Sequence, residues 1–478
     1  MCINPRTLYD NSVYHHEYYS VRTRQVPCGE CEECREAKRS EWYTRLCFEI
    51  DHTYKTGGCC VFLTFTYNDK CLPRYTDGNI SFPCFNHNDV LTFTDLFETH
   101  CARAFGKGSF KKYFVSEFGK NTKRPHYHCL YFLSAGVDYI RFVEMARSDW
   151  SYGFMFPKFD KHRNIYVDND GNPDSPLLHN IGAGARYVSK YVTKDISFYQ
   201  IPEVSDYLMS KSNKSRLKKY LPKAWMSKGL GFCALDCINV NSVETVRTLL
   251  NEGITNPLTL EKVPCPRYIL DKLRYHKVLS NRISPTTGKP LYDRFLTELG
   301  KASSRVVFDN KISRYQKKMS ETFQLYFTDL ELYRQYTFDN LSTFMKDAGI
   351  SDISKPESFR RLALYHEFVH HCSHYAQNML LDRAGGSVID SLSDDDVFRY
   401  WNLSRDPEYI KAKKMNCHEF LPPFFSVRWA YESFEYLDSF YGQISCAIRG
   451  ARALERIKDN EEKERLKRLH NHKYPLKL

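Results

Sequence analysis

Short stretches rich in β-branched and aromatic residues alternate, in the first half of this chain, with longer stretches whose apolar residues have helical spacing. The former predict strands at residues 60–67, 113–117, 126–132 and 153–159, and the latter predict helices at 35–52, 88–105, 137–149 and 184–195. A short turn at 121–124 indicates that the second and third strands form a hairpin. From residue 60 the order is strand, helix, strand, strand, helix, strand. This is the ferredoxin-like split βαβ order, so we predict an α+β fold with an antiparallel sheet.

Helical spacing continues from about residue 240 to the end of the chain, with amphipathic runs at 313–344, 356–382 and 430–469. A chain of 478 residues is too long for one hydrophobic core. We therefore predict a cysteine-containing helical segment (1–60), an α+β domain (61–235) and a separate C-terminal helical domain (236–478).

Composition and charge narrow the function classes. The net charge of +12 favours a polyanionic partner, and the 34 tyrosines and 32 phenylalanines supply rings that could stack on unpaired bases. The N-terminus lacks the apolar core of a signal peptide, and no run of about 18 apolar residues predicts a membrane span. We therefore expect the 17 cysteines to be reduced and the protein to be cytoplasmic.

Two histidines separated by one residue are the strongest chemical feature. On a strand, His126 and His128 point to the same face while Tyr127 points to the other. Glu117, on the neighbouring strand, is the predicted third ligand of a divalent ion, Mg²⁺ or Mn²⁺. Such an ion can neutralise and orient a phosphate.

Two tyrosines about sixty residues further along could supply a nucleophile. Tyr187 and Tyr191 are one helical turn apart and share a helix face. A phenolate that attacks phosphorus conserves the bond energy as a phosphotyrosine, which a 3′-hydroxyl can later reverse. Lys190 and Lys194 each follow a tyrosine by three residues and could assist it, although lysines on a helix are often only solvated.

These residues, taken in order, resemble a known family. The chain resembles the replication initiation proteins of microviruses, most closely their gokushovirus-like branch, within the HUH endonuclease superfamily. The similar segments are 26–34, 62–67, 116–119, 124–128, 150–153, 186–194 and 226–231, so the resemblance covers about residues 1–235. Phe118 stands where a tyrosine is commoner.

The resemblance implies a rolling-circle initiator that nicks the viral strand at the replication origin and stays attached to the new 5′ end. His126 and His128 correspond to its metal ligands, and Tyr187 and Tyr191 to its nucleophiles. The implied partner is single-stranded origin DNA in a bacterial host's cytoplasm. Because the chain has no Gly-x₄-Gly-Lys-Ser/Thr phosphate loop, we expect a host helicase to unwind the duplex.

A cysteine cluster near the N-terminus permits two interpretations. Cys28, Cys31 and Cys34 are spaced by two residues, and Cys2 could complete a tetrahedral structural zinc site. The same cysteines could instead be packed as small apolar side chains.

Two other functions compete with nicking. His366, Glu367 and His370 match the zinc-protease pattern, but no glycine-bearing third-ligand extension follows, and apolar residues around them have ordinary helical spacing. We interpret that match as a coincidence. A non-enzymatic DNA- or capsid-binding protein could use the basic stretch 205–228, which could equally be a solvated loop, but this hypothesis leaves the tyrosine pair unexplained.

Overall fold

A computed structural model describes part of the chain in two compact units. One unit is Arg35–Arg274, and the other combines Met1–Cys34 with Tyr275–Leu478. The described residues are 6–10, 22–29, 31–119, 124–168, 170–178, 196–199, 201–284, 288–328, 357, 360, 363–364, 393–403, 458–459, 461–462 and 465–466.

A five-stranded sheet is the centre of the first unit. Its strands are β3 (Cys59–Tyr67), β6 (Phe110–Phe118), β7 (Pro125–Leu133), β8 (Gly153–Phe156) and β11 (Ala224–Met226). They lie in the order β11-β6-β7-β3-β8, and every neighbouring pair is antiparallel. The mixture of helices with an antiparallel sheet confirms the predicted α+β class, and β6 and β7 form the predicted hairpin.

One face of this sheet is apolar and is covered by two helices. They are α2 (His87–Phe105) and α3 (Tyr139–Asp149), which bury Phe93, Phe97 and Phe142 against rings of β3 and β7. Side chains of Asn86 and Asp138 cap the helix N-termini by accepting backbone hydrogen bonds, which fixes where each helix begins. Alternation along the strands assigns the odd-numbered residues 61–67 of β3 and 127–133 of β7 to this core.

The opposite face is covered by a helix at one end. Helix α1 (Glu32–Lys55) packs Leu46, Cys47 and Ile50 against apolar residues of β3, β6 and β7. The nearly buried Glu49 carboxylate holds this end together, since it pairs with Lys111 at 2.5 Å and accepts a hydrogen bond from the Gly231 backbone N–H at 2.7 Å. The other end of the face carries the polar residues described below.

The predicted strand at 153–159 is wrong in its length. Strand β8 ends at Phe156, and Lys158–Asp160 forms a separate strand, β9, which pairs with β10 (Ile165–Val167). Pro157 lies between them and has no backbone N–H to continue the ladder, so the chain leaves the sheet there.

The remaining elements of this unit are short. A loop expected around Pro73 and Pro83 contains a hairpin of β4 (Arg74–Asp77) and β5 (Ile80–Pro83). The basic stretch 205–228 is structured rather than a loop, because Tyr207 and Leu217 are buried in the core. Further elements are α4 (Ile196–Tyr199), α5 (Pro202–Leu208), α6 (Lys211–Arg216), 3₁₀ turns at Leu217–Lys219 and Phe232–Cys237, α7 (Val243–Asn251), β12 (Ile254–Thr255), β13 (Lys262–Val263) and α8 (Arg267–Arg274).

The second unit also contains strands. The predicted continuous helical character beyond residue 240 is wrong at β14 (Tyr275–Ile283) and β15 (Pro290–Leu296), which form a long hairpin around Gly288 at positive φ. The N-terminal segment likewise contains paired strands β1 (Arg6–Asp10) and β2 (Arg22–Val26). The described helices are α9 (Glu298–Ala302), α10 (Ser304–Thr328) and α11 (Asp394–Leu403). Among all described helices, none is long and apolar enough to cross a membrane.

Candidate active site

Two rows of side chains cross the half of the sheet face that α1 leaves uncovered. Strand pairing aligns Glu117, His126, Thr66 and Phe154 in one row, on β6, β7, β3 and β8 respectively. Residues directly opposite each other in an antiparallel ladder project to the same side of the sheet. The three predicted metal-binding residues therefore share a face with one another and with the edge strand.

The second row is Val115, His128, Thr64 and Phe156. His128 is buried and is held from both sides. Its Nε2 lies 2.7 Å from a carboxylate oxygen of Glu117, and its Nδ1 lies 2.9 Å from the Thr64 hydroxyl. Because both ring nitrogens are hydrogen-bonded, the imidazole has a fixed orientation.

His126 lies opposite Glu117 in the ladder and is half-buried. Its ring centroid is 6.4 Å from that of His128, at an interplanar angle of 67°. On the far side of His128, Phe62 stacks nearly parallel to the imidazole, with centroids 5.7 Å apart. The apolar ring thus supports one side of His128 while the other side faces His126 and Glu117.

Tyr127, between the two histidines, points into the opposite core. Its hydroxyl lies 3.1 Å from that of Tyr67, which donates a hydrogen bond to Asp89 at 3.0 Å. Burial raises the pKa of both phenols well above the ordinary value, and it also raises the pKa of Asp89. Both phenols therefore stay neutral at physiological pH.

The donors fit a divalent ion in type and position. Two ligands about 2.1 Å from an octahedral ion and at right angles lie about 3.0 Å apart. The Glu117–His128 separation of 2.7 Å is a few tenths of an ångström shorter, so a small opening would admit the ion in place of the shared proton. His126 does not complete a tight triad: within the described chain, only a cysteine cluster brings three such donor atoms all within 4.8 Å of one another.

The predicted nucleophiles Tyr187 and Tyr191, with Lys190 and Lys194, lie outside the described residues. The described chain on either side approaches the same sheet. The backbone N–H of Leu178 donates to the Cys60 carbonyl of β3 at 2.9 Å, and the Phe198 ring contacts the Phe118 ring of β6, with centroids 5.5 Å apart. The tyrosine-bearing segment thus starts and ends beside strands that carry the site.

The cysteine cluster is Cys28, Cys31 and Cys34, whose sulfur atoms lie within 4.8 Å of one another and could bind a metal ion such as zinc. The sulfurs of Cys28 and Cys34 are 3.9 Å apart, close to the roughly 3.8 Å between two thiolates on a tetrahedral zinc. The Cys31 backbone N–H donates to the Cys28 sulfur at 3.2 Å, which orients that donor. Cys2, the predicted fourth ligand, lies outside the described residues.

Sequence reasoning did not identify Thr64 or Phe62 as neighbours of His128. The even-numbered positions of the predicted strand 60–67 could have indicated that both share one face. Their alignment with the histidines depends on strand register, which the sequence does not state. The protease-like residues His366, Glu367 and His370 lie outside the described residues.

Comparison with known proteins gives two matches, while no solved structure matches significantly. Residues 60–196 match a family model of replication-associated proteins of the ORF2 type. A 213-residue region, 43% of this chain, is 26% identical to the replication-associated protein ORF2 of Spiroplasma virus 4. That region spans 55% of the viral protein, so the chain matches only about half of its length. The part of the chain that holds the two histidines, Glu117 and the two tyrosines is thus similar to viral replication-associated proteins.

Proposed function

We propose that this protein initiates rolling-circle replication of a viral genome by metal-dependent, site-specific nicking of single-stranded DNA. The observation that carries the proposal is the alignment of Glu117, His126 and His128 on one uncovered sheet face. The strand order β6-β7-β3-β8, with a helix between β3 and β6 and another between β7 and β8, fits a ferredoxin-like HUH core. In this proposal residues 61–235 are the nuclease domain and 236–478 a separate C-terminal domain.

Glu117, His126 and His128 would hold one divalent ion, Mg²⁺ or Mn²⁺. When bound, that ion supplies positive charge that orients the scissile phosphate and neutralises its developing charge. The chain itself fixes the site. Thr64 and Phe62 orient His128, and the sheet fixes the spacing of the three donors.

Tyr187 or Tyr191 would perform the cleavage. The phenol oxygen forms a bond to phosphorus, the bond from phosphorus to O3′ breaks, and O3′ leaves with a proton as a free hydroxyl. The phenol proton passes to solvent or to a neighbouring base, and Lys190 or Lys194 would favour the phenolate by its charge. Attack by a 3′-hydroxyl on the phosphotyrosine reverses the reaction and releases joined DNA, so no nucleotide cofactor is consumed.

Two tyrosines would allow one to keep the 5′ end while the other makes the next cut. The anchoring of Leu178 beside β3 and of Phe198 beside β6 supports this arrangement, because the intervening segment leaves and rejoins the sheet next to the site. The host's helicase and replication machinery, in a bacterial cytoplasm, would supply the unwinding and synthesis.

A structural zinc site is a separate proposal for the cysteine cluster. The sulfur geometry of Cys28, Cys31 and Cys34 supports it, with Cys2 as the fourth ligand. Packing alone would not require three thiols to converge, two of them half-exposed.

The test is formation of a covalent protein–DNA adduct. Purified protein would be incubated with 5′- or 3′-labelled single-stranded DNA spanning candidate origins, with Mn²⁺, Mg²⁺ or chelator, and analysed on denaturing gels. We expect a metal-dependent adduct that survives in at least one of Tyr187→Phe and Tyr191→Phe and disappears in the double variant.

Tyr199→Phe is the matched control, since Tyr199 lies just beyond the segment and is exposed. An adduct that persists in the double tyrosine variant would contradict the assigned nucleophiles. Absence of any adduct, together with intact DNA binding, would favour the non-enzymatic alternative. Proteolysis of casein that is lost in Glu367→Gln would favour the zinc-protease alternative.

A further inference from the structure

The sheet face that carries the histidines continues onto an aromatic edge. On the edge strand β8, Phe154 lies opposite Thr66, which in turn lies opposite His126 on the other side of β3. Phe156 has the same relation to Thr64 and His128. Both phenylalanines therefore project to the side of the sheet where the histidines lie.

Burial separates these two rings from the core residue between them. Met155 is buried against α2 and α3, whereas Phe154 is 49% exposed and Phe156 is half-buried. Exposed phenylalanines carry a cost in water, and two of them on one strand are unusual for a free surface.

A cation completes the edge. The Lys158 ammonium lies over both rings, 4.9 Å from the Phe154 centroid and 4.8 Å from that of Phe156. The β9–β10 turn adds Lys161 and Arg163, both exposed. Aromatic rings combined with positive charge match a strand that presents both bases and phosphates, whereas a purely apolar partner would gain nothing from the lysine.

Distance also suits this partner. Neighbouring strands are about 4.8 Å apart, so Phe154, two strands from His126, lies about 10 Å away. A base attached close to a phosphate held at His126 could reach the ring. Double-stranded DNA would keep its bases stacked on each other and could not use the platform.

We infer that Phe154 and Phe156, with Lys158, form a stacking platform for unpaired bases of single-stranded DNA next to the scissile phosphate. This inference rests on the proposed nicking function for its biological role. Base stacking itself needs no metal, so the platform can be tested separately.

The experiment measures binding of full-length protein to a fluorescent mixed-sequence oligodeoxynucleotide and to an abasic strand of equal length and charge. Chelator is present, so the strand is not cut. We expect wild type to prefer the strand with bases and Phe154→Leu/Phe156→Leu to lose about 5- to 150-fold of that preference for each base released. Leucine keeps the apolar volume and so protects folding, while Lys158→Met should weaken both strands alike.

Leu96→Ala is the control, because this exposed residue belongs to α2 on the other side of the sheet. Equal affinity of wild type for the two strands, or an unchanged preference in the double leucine variant, would overturn the platform even if the protein nicks DNA. Loss of preference in that variant, when wild type forms no covalent adduct with metal, would support the platform and reject the nicking function.

Discussion

The two ends of one sheet face have opposite chemistry although the same strands build them. At one end Tyr113, Leu130 and Phe132 are buried beneath α1. Four residues from Leu130 along β7, His126 belongs to an uncovered polar cluster with Glu117. The difference shows how a rigid platform and a reactive surface can share a ladder. The buried end fixes strand register, and a slip of one residue would turn both histidines toward the opposite core.

The largest expected effect comes from emptying the uncovered end. In His126→Ala/His128→Ala we expect nicking to fall at least about 100-fold, since the loss of several kcal/mol of charge stabilisation is divided by about 1.4 kcal/mol for each tenfold change. Adduct formation against time at saturating Mn²⁺ measures this. Thermal unfolding should change little.

His52→Ala controls for histidine removal, because His52 is exposed on α1. If the double variant nicked at the wild-type rate, the uncovered end would not be the reactive surface.

A smaller loss is expected when the support of His128 is removed. Thr64→Val keeps the side-chain shape but deletes the hydroxyl that lies 2.9 Å from His128 Nδ1. Loss of such a supporting hydrogen bond typically lowers metal affinity about 10- to 100-fold. Mn²⁺ titration followed by calorimetry would measure the affinity, and Thr64→Ser should restore it. An unchanged Mn²⁺ affinity in Thr64→Val would remove Thr64 from the site.

The covered end should respond in stability rather than in chemistry. Leu130→Ala removes a fully buried side chain and should lower the free energy of unfolding by about 2–5 kcal/mol. Urea denaturation measures this change. At a temperature where the variant is folded, we expect its Mn²⁺ affinity and nicking rate to match wild type. A selective loss of metal affinity without loss of stability would break the comparison between the two ends.

The smallest effect on nicking is expected from the cysteine cluster, which belongs to the other compact unit. Cys28→Ser or Cys31→Ser should lower the zinc content of purified protein from about one ion per chain to near zero. Elemental analysis measures the zinc. Mn²⁺ affinity at the histidine site should not change. Zinc content equal to wild type in both variants would favour simple packing of the thiols.

Local pattern sufficed for much of the central sheet, because most of its strands have a dense run of β-branched or aromatic residues. The pairing of β6 with β7 followed from a short connection, which leaves few alternatives. Where the pattern was interrupted, prediction was wrong. Pro157 divides a single apolar run into two strands with different partners, and the β14–β15 hairpin has mostly exposed strands, without the alternating burial that marks a strand in sequence.

The site was predictable only to the extent that it is local. Alternation alone places His126 and His128 on one face, and the hairpin adds Glu117. Thr64 and Phe154 reach the same face through long-range pairing of β3 with β7 and β8. No sequence spacing encodes that register, which depends on packing of both sheet faces.

The hydrogen-bonded phenols beneath the histidines have an electrostatic consequence. Tyr67 and Tyr127 remain uncharged, since burial raises their pKa values, so the layer behind His126 and His128 contains no phenolate from this pair. A positive charge placed on the histidine face would meet a weakly polarisable aromatic layer on one side and solvent on the other. Its field would therefore act mainly outward. In this sense the aromatic core functions as an insulator, which leaves the attraction of the site for an anion undiminished from behind.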